Sequence, residues 1–181
     1  NSLEKLGDGT LALTSNTNSF SGPTSVNAGT LEISAGIPNS AVLISSGSTL
    51  ATTGFSSEVG SFSGDGNISI SASGVLVSGS DNTNTTFSGA ISGPGDFQKI
   101  GSGSLTLSGS SPSFGSNNSI DVVAGELIIA DANAIGSGNN VFVAPAATLS
   151  LQSNESIPSN FSFSNQIRLD TGLGGESVLR L

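Results

Sequence analysis

The chain has 181 residues, and its 13 acidic and 4 basic side chains give a formal net charge of −9 at pH 7. Charged residues make up 9% of it, against about 25% in ordinary globular proteins. Because the few Lys and Arg residues do not cluster, the sequence excludes nucleic acid as a partner. The chain contains no Cys and no His, which excludes disulfides, thiolate metal sites and nucleophiles activated by histidine.

Alternating apolar pairs recur from the N-terminus onward. An apolar residue at every second position, flanked by Gly, Ser and Asn, is typical of a short β-strand between turns. Helix signals are nearly absent, so the pattern predicts an all-β fold. In chain order the pairs are Leu11 and Leu13, Leu31 and Ile33, Val42 and Ile44, Ile68 and Ile70, Val75 and Val77, Leu105 and Leu107, and Ile167 and Leu169.

The centres of the predicted strands follow one another at nearly constant steps. Steps of 19–22 residues join Leu11, Leu31, Leu50, Ile70 and Ile91, and then Leu105, Leu127, Leu149 and Leu169. One step of 14 residues, from Ile91 to Leu105, breaks this rhythm. A coil of about 20 residues favours a parallel β-helix, in which equivalent residues stack about 4.8 Å apart. The alternative is an antiparallel β-sandwich, whose turns are expected every 8–12 residues or so. We predict about eight coils with their leucines stacked inside, namely Leu11, Leu31, Leu50, Leu105, Leu127 and Leu149.

An internal repeat supports the same architecture. Residues 97–151 nearly repeat residues 3–52, and each copy begins with an apolar–x–Lys–apolar–Gly–x–Gly pattern around Lys5 or Lys99. A repeating sequence predicts a repeating structure in which each unit buries its apolar face against the next. We therefore predict one β-helical domain over residues 1–181, with a linking coil region at 53–96 between the two copies.

Residues 60–67, 79–93 and 97–109 resemble the passenger-associated transport repeat of bacterial autotransporters. That pattern runs Phe-Ser-Gly-x-Ile-Ser-Gly, then apolar-Lys-x-Gly-x-Gly-x-Leu-x-Leu. The resemblance implies a right-handed parallel β-helix, export through the inner membrane, and display outside the outer membrane by a C-terminal barrel. Phe20 and Phe114 stand where the family usually has Tyr, and Pro112 lies in the second copy. We expect both phenylalanines to keep the apolar anchor.

Two groups of oxygen-bearing side chains are candidates for chemistry. Glu155 and Glu176 lie about one coil apart, and stacked carboxylates about 5 Å apart suit a retaining glycosidase. The chain has no Tyr or Trp to stack on a sugar ring, however, which argues against this role. Asp81, Asn82 and Asn84 are the best candidates for calcium ligands, but a turn closed by their side chains explains them more simply. We predict no catalytic, cofactor-binding or metal-binding residues, no cofactor and no enzyme activity.

The predicted function is that of an extracellular passenger segment, acting as a rigid stem or an adhesive surface on the bacterial cell. The alternatives are a β-helical enzyme that cleaves polysaccharides and a dedicated module that binds a host ligand. The expected partners are the C-terminal outer-membrane barrel and a host-surface protein or glycan. Strand patterning reaches Leu3 at one end and residues 178–181 at the other, so we also expect unpaired strand edges and weak self-association.

Overall fold

The computed structural model describes residues 1–15, 18–111, 113–152, 165–169 and 176–180. Within these ranges the regular elements are strands, and no helix is present. The strands are β1 (Leu3–Lys5), β2 (Thr10–Leu13), β3 (Thr24–Val26), β4 (Thr30–Ile33), β5 (Gly36–Ile44), β6 (Thr49–Thr52), β7 (Ser56–Gly64), β8 (Asn67–Ser69), β9 (Val75–Ser78), β10 (Thr85–Phe87), β11 (Ala90–Ser92), β12 (Asp96–Lys99), β13 (Ser104–Leu107), β14 (Ser119–Val122), β15 (Glu126–Ile129), β16 (Asn140–Val143), β17 (Thr148–Leu151), β18 (Gln166–Leu169) and β19 (Val178–Arg180).

All strand pairs in the described residues are parallel, and they form three ladders that run along a solenoid of about seven turns. Ladder 1 contains β1, β3, the second part of β5, the second part of β7, β10, β13, β15, β17 and β19. Ladder 2 contains β2, β4, β6, β8 and β11. Ladder 3 contains the first parts of β5 and β7, then β9, β12, β14, β16 and β18. The parallel pairing confirms the predicted solenoid and excludes the sandwich.

The predicted leucine stack exists, but it is divided between two ladders. In ladder 2, Leu11 pairs with Leu31 and Leu31 with Leu50, and the column continues through Ile68 to Ile91. The later leucines lie in ladder 1 instead. Their column runs through Leu105, Leu127, Leu149 and Leu179.

The 14-residue step between Ile91 and Leu105 is where the leucine column changes ladder. From Ile91 the chain turns two corners, through ladder 3, before it reaches Leu105, whereas a 20-residue step turns three. The solenoid has about seven turns, close to the predicted eight. The register corrects two assignments, because Ile68 rather than Ile70 lies over Leu50, and Leu179 rather than Leu169 lies over Leu149.

The two copies of the repeat therefore lie on different corners. In the first copy, the turn after Lys5 leads from ladder 1 to ladder 2. In the second copy, the equivalent turn after Lys99 leads from ladder 3 to ladder 1. In the early coils that second corner has no turn, because β5 and β7 bend around it as continuous strands. A local shift of register in β5 between Ile37 and Ala41 accompanies the bend.

The interior is filled mainly by aliphatic side chains from all three ladders, and a cluster of phenylalanines lies where the leucine column changes ladder. The ring of Phe62 lies 5.2 Å from that of Phe87 and 5.9 Å from that of Phe97, in both cases edge to face. Phe114 is buried and Phe20 packs partly against the core, which agrees with their predicted role as apolar anchors. Burial of each such side chain contributes about 1.5–3 kcal/mol, so stability is spread along the whole stack.

Candidate functional site

The predicted carboxylate pair cannot be assembled from the described part of the chain. Glu155 lies outside the described residues, and Glu176 is an exposed residue whose backbone carbonyl accepts a hydrogen bond from the Ala146 N–H at 3.0 Å. Within the described ranges, no group of three or more Asp and Glu side chains is placed to hold a metal ion. The absence of catalytic and metal-binding residues therefore stays a prediction.

The oxygens of the predicted calcium cluster form hydrogen bonds within the chain. One carboxylate oxygen of Asp81 accepts from the Ser61 hydroxyl at 2.6 Å, and the other accepts from the backbone N–H and hydroxyl of Thr83 at 3.1 and 2.8 Å. The Asn82 side-chain oxygen accepts from the Ser102 N–H at 2.8 Å. Asn84 makes the equivalent contact to the Ser104 N–H at 2.8 Å. These side chains close a turn and join it to neighbouring coils.

Both lysines of the chain are buried at corners of the solenoid. Lys5 is 5% exposed and Lys99 is 2% exposed. The Lys5 ammonium donates to the carbonyl oxygens of Leu6 at 3.2 Å, Gly7 at 2.6 Å and Ala28 at 2.9 Å. Each lysine is the last residue of its strand and points inward, so its ammonium reaches the carbonyls of the turn that follows.

The second lysine reproduces this arrangement. The Lys99 ammonium donates to the carbonyl oxygens of Ile100 at 2.6 Å, Gly101 at 3.1 Å and Ala124 at 3.3 Å. Burial lowers the pKa of Lys99 below its ordinary value, and the charge of Asp81 opposes that shift. Sequence reasoning treated the lysines only as charges. The signal for their role was their identical position in the two copies of the repeat.

A column of asparagines beside ladder 3 was also missed. The side-chain oxygen of Asn139 accepts from the Asn118 N–H at 3.0 Å, and that of Asn165 accepts from the Asn139 N–H at 2.7 Å. The amide group of Asn139 donates to the Ile135 carbonyl at 2.7 Å. Each Asn immediately precedes a strand of ladder 3, and that repeated position was the signal in the sequence.

A groove with a volume of about 510 Å³ lies on the outer surface of ladder 3. Asp121, Phe142 and Arg168 lie opposite one another in three successive coils and line this groove. The Arg168 guanidinium carbon lies 5.4 Å from the centre of the Phe142 ring, within range of a cation–π contact. Val123 adds exposed apolar surface beside them.

Positive charge on the outer surface is confined to the C-terminal coils. The chain has four basic side chains, and the ammonium groups of Lys5 and Lys99 are bound inside. The other two, Arg168 and Arg180, are exposed. The Arg180 guanidinium lies 4.0 Å from Glu126, so that contact is worth little at the surface. The groove therefore offers an aromatic ring and a guanidinium on an otherwise acidic surface.

Comparison with known proteins agrees with this architecture. The passenger-associated-transport-repeat family matches residues 3–33 and 97–119, which include both lysines and the turns that directly follow them. Over 144 residues, or 75% of this chain, the sequence is 33% identical to the Adhesin BmaC autotransporter of Brucella suis biovar 1 (strain 1330). The matched region is 4% of the length of that protein. No solved structure matches the chain.

None of the described residues forms a helix that is long and apolar enough to cross a membrane. The described residues form a parallel solenoid, and each of the two matched segments contains one buried lysine and the turn after it. Together with the similarity to an autotransporter adhesin, these findings identify the chain as a segment of an autotransporter passenger domain.

Proposed function

We propose that this segment is a rigid, non-enzymatic stem displayed outside the bacterial outer membrane, with a C-terminal outer-membrane translocator as its partner in the longer protein. The observation that carries the proposal is the continuity of ladder 1, which runs in register through nine strands of the described chain. Coils that are hydrogen-bonded and packed throughout resist bending. The outer surface of these coils consists mainly of Ser, Thr, Asn and Gly. Such a solenoid is suited to holding other parts of the protein at a distance from the cell.

A replacement experiment tests the stem. In the longer protein, this segment is exchanged for an unrelated parallel solenoid with the same number of coils, and the attachment of bacteria to host cells is measured. A deletion of the segment is the matched control. A stem requires that the deletion reduces attachment and that the unrelated solenoid restores it. If the unrelated solenoid does not restore attachment, the outer surface of this segment is itself needed.

A second candidate function is direct adhesion, and the groove on ladder 3 favours it. The similar Brucella protein carries the name adhesin, and the groove joins an exposed ring to an exposed guanidinium. The partner in this case would be a host-surface protein or glycan. Phe142→Ser together with Arg168→Ser should then reduce attachment, and Thr86→Ser on ladder 1 is the control. Unchanged attachment in the double variant, with normal surface display, would leave the stem as the function.

Enzymatic cleavage of a surface polysaccharide is the competing proposal. It requires turnover by the purified chain that disappears in Glu155→Gln or Glu176→Gln. We expect no release of reducing sugar from common acidic and neutral polysaccharides. Activity that is lost in either variant would replace the stem by an enzyme.

We also propose weak self-association of the purified chain. In the described residues, β1 and β19 each pair on one side only, so each presents a strand edge. The net charge of −9 opposes association, and salt weakens this repulsion by shortening the Debye length to about 8 Å at 0.15 M. Light scattering should show a monomer at low salt and larger species as salt and concentration rise. A monomer under every condition would contradict the proposal.

A further inference from the structure

The two buried ammonium groups occupy equivalent cages built from two successive coils. In each cage, two of the three carbonyls belong to the turn that directly follows the lysine, at Leu6 and Gly7 or at Ile100 and Gly101. The third carbonyl comes from the same corner of the next coil. An ammonium group has three N–H donors, so each cage uses all of them.

We propose that Lys5 and Lys99 are locks between coils. Each fastens one corner of the solenoid to the same corner of the next coil, so that loss of the side-chain N–H donors opens that corner while the rest of the stack stays folded. A single lysine here joins chain segments more than 20 residues apart. In each cage one of the three hydrogen bonds crosses to the next coil, where it adds to the main-chain bonds that already join the two corners. The other two bonds hold the turn of the lysine's own coil.

Glycines of the repeat make the cage possible in the second copy. Gly125 follows Ala124 with a φ of +67°, and a Cβ atom there would collide with the carbonyl oxygens of Gly101 and Gly103. The absence of this atom lets the next coil lie directly over the turn, so that the Ala124 carbonyl reaches the ammonium of Lys99. Gly125 is thus a requirement of the lock.

The first copy meets the same requirement with its own glycine. Gly29 follows Ala28 with a φ of +65°, and a Cβ atom there would collide with the carbonyl oxygens of Gly7 and Gly9. The two cages therefore share their lysine, their two turn glycines and the Ala-Gly pair of the next coil. This shared set identifies the Lys-x-Gly-x-Gly and Ala-Gly elements of the repeat as one structural unit.

Amide hydrogen exchange can detect the opening of each corner separately. The Val123 N–H donates to the Lys99 carbonyl at 2.8 Å, and the Asn27 N–H donates to the Lys5 carbonyl at 3.0 Å. The Thr53 N–H, which donates to the Ile33 carbonyl at 3.0 Å, is the reference amide at a corner without a lysine. Exchange is measured by NMR on the 181-residue chain.

Lys99→Met keeps most of the side chain but removes the three donors. We expect Val123 exchange to become faster by about 5- to 150-fold, the range expected when a buried hydrogen-bonding group loses its partner. Exchange at Asn27 and Thr53 should change little. Lys5→Met is the matched control and should give the reciprocal result, with faster exchange at Asn27 and little change at Val123. Equal acceleration of all three amides, or of none, would overturn the proposal.

Ammonium ions test whether the cage itself recognises the charge. In Lys99→Ala, ammonium chloride should slow Val123 exchange again. Tetramethylammonium chloride at the same concentration should not, because it has no N–H donor and is too large for the cage. Equal slowing of Val123 exchange by the two salts would show a nonspecific salt effect. Binding of an ammonium ion in the cage would then not explain the slower exchange.

A measurement on the unsubstituted chain covers the case in which the variants do not fold. The chain has two lysines, so acetylation by a water-soluble active ester can be followed at each of them by mass spectrometry. As dilute urea is added, the acetylation rate of Lys99 should rise in parallel with Val123 exchange, because both require the same corner to open. A rate that instead follows Thr53 exchange would mean that Lys99 is released together with a corner that contains no lysine, and the proposal would be wrong.

Discussion

The two copies of the repeat have nearly the same local structure but lie at different places on the solenoid. In both, a strand ends in a buried lysine, a turn with two glycines follows, and the next coil supplies the third carbonyl. The copy at Lys5 forms the corner between ladders 1 and 2, whereas the copy at Lys99 forms the corner between ladders 3 and 1. The corner is thus a transferable unit.

The region between the copies determines which side each copy occupies. Residues 53–96 contain the bent strand β7 and then the loop after β9, and β11 is the last strand of ladder 2 in the described chain. Beyond it, the described residues on the side occupied by ladder 2 form no regular strand, and an isolated bridge joins Gly93 to Phe114. The C-terminal coils instead gain turns at the corner that β5 and β7 pass as continuous strands. The local sequence of the repeat therefore determines the structure of a corner. The length of the chain between the two copies determines which corner of the solenoid each copy forms.

The largest expected effect comes from breaking the leucine columns. Leu127 is fully buried and pairs with Leu105 and Leu149, so Leu127→Ala should lower the free energy of unfolding by about 2–5 kcal/mol. In a double-mutant cycle, Leu105→Ala and Leu127→Ala should couple by about 0.5–3 kcal/mol, because they are neighbours in one column. Chemical denaturation followed by circular dichroism measures all of these values.

The same cycle tests the change of ladder. Ile91 and Leu105 are the residues on either side of the 14-residue step, and they lie on different ladders. We expect the coupling between Ile91→Ala and Leu105→Ala to be smaller than that between Leu105→Ala and Leu127→Ala. A larger coupling across the step would mean that a single leucine column continues through it.

Glycine substitutions test whether the two lysine corners are structurally equivalent. Gly125→Ala must place a Cβ atom against the backbone of the previous coil, so we expect a loss of at least about 3 kcal/mol. Gly29→Ala should cost a similar amount. Gly47 is the control, because its φ is +78° but nothing lies within 4 Å of its Cβ position. Gly47→Ala should therefore cost only about 1–2 kcal/mol, the penalty of the left-handed conformation. Thermal unfolding of the three variants measures the difference.

The solenoid could be predicted from the sequence because its signals are local or periodic. Alternating pairs such as Leu31 and Ile33 indicate strands, and regular steps of about 20 residues indicate coils. The side of the solenoid could not be predicted, because the step from Ile91 to Leu105 shows that the rhythm breaks but not how many corners the chain turns. The sequence cannot distinguish Ile68 from Ile70 as the residue over Leu50 for a similar reason, since both are apolar and buried and only the register separates them.

The lysine cages were not predicted for a different reason, because the repeated position of the two lysines indicates a shared role but not the contacts that define it. A lysine at the end of a strand ordinarily points its charge to solvent, and few are fully buried. The Lys99 ammonium binds the carbonyl oxygen of Ala124, which belongs to the next coil. Such a contact between coils depends on the register of the strands, which the sequence alone does not define. The asparagine column is similar, since Asn139 is recognised as a structural residue only when the N–H of Asn118 lies opposite its side chain.

A smaller effect is expected from the asparagine column, which accompanies only the second copy in the described chain. Asn139→Ala removes the acceptor of the Asn118 N–H and the donor to the Ile135 carbonyl, so it should lower the free energy of unfolding by about 1–3 kcal/mol. Asn140→Ala, at the adjacent and partly exposed position, should change it by about 0.5 kcal/mol or less. Equal losses in both variants would contradict a specific role of the column.

The smallest expected effect is the contribution of Lys99 to the pH dependence of the free energy of unfolding, because burial and the charge of Asp81 shift its pKa in opposite directions. Burial lowers the pKa of Lys99 from its ordinary value of 10.5, and Asp81 raises it. The folded chain therefore releases this proton at a lower pH than the unfolded chain does. Between the two pKa values the unfolded chain binds more protons, so the contribution of Lys99 to the free energy of unfolding rises with pH in that window.

Asp81→Asn sharpens this test because it removes the opposing charge and leaves the lysine in place. The pKa of Lys99 in the folded chain should then fall further below 10.5, and the window in which stability rises with pH should extend to lower pH. NMR titration of the carbon next to the Lys99 nitrogen measures this pKa, and the same titration in urea gives the value for the unfolded chain. Thr83→Val is the control, because it removes one hydrogen bond to Asp81 without removing the charge. An unchanged pKa of Lys99 in Asp81→Asn would show that the Asp81 carboxylate does not act on this lysine. Burial alone would then lower the pKa of Lys99.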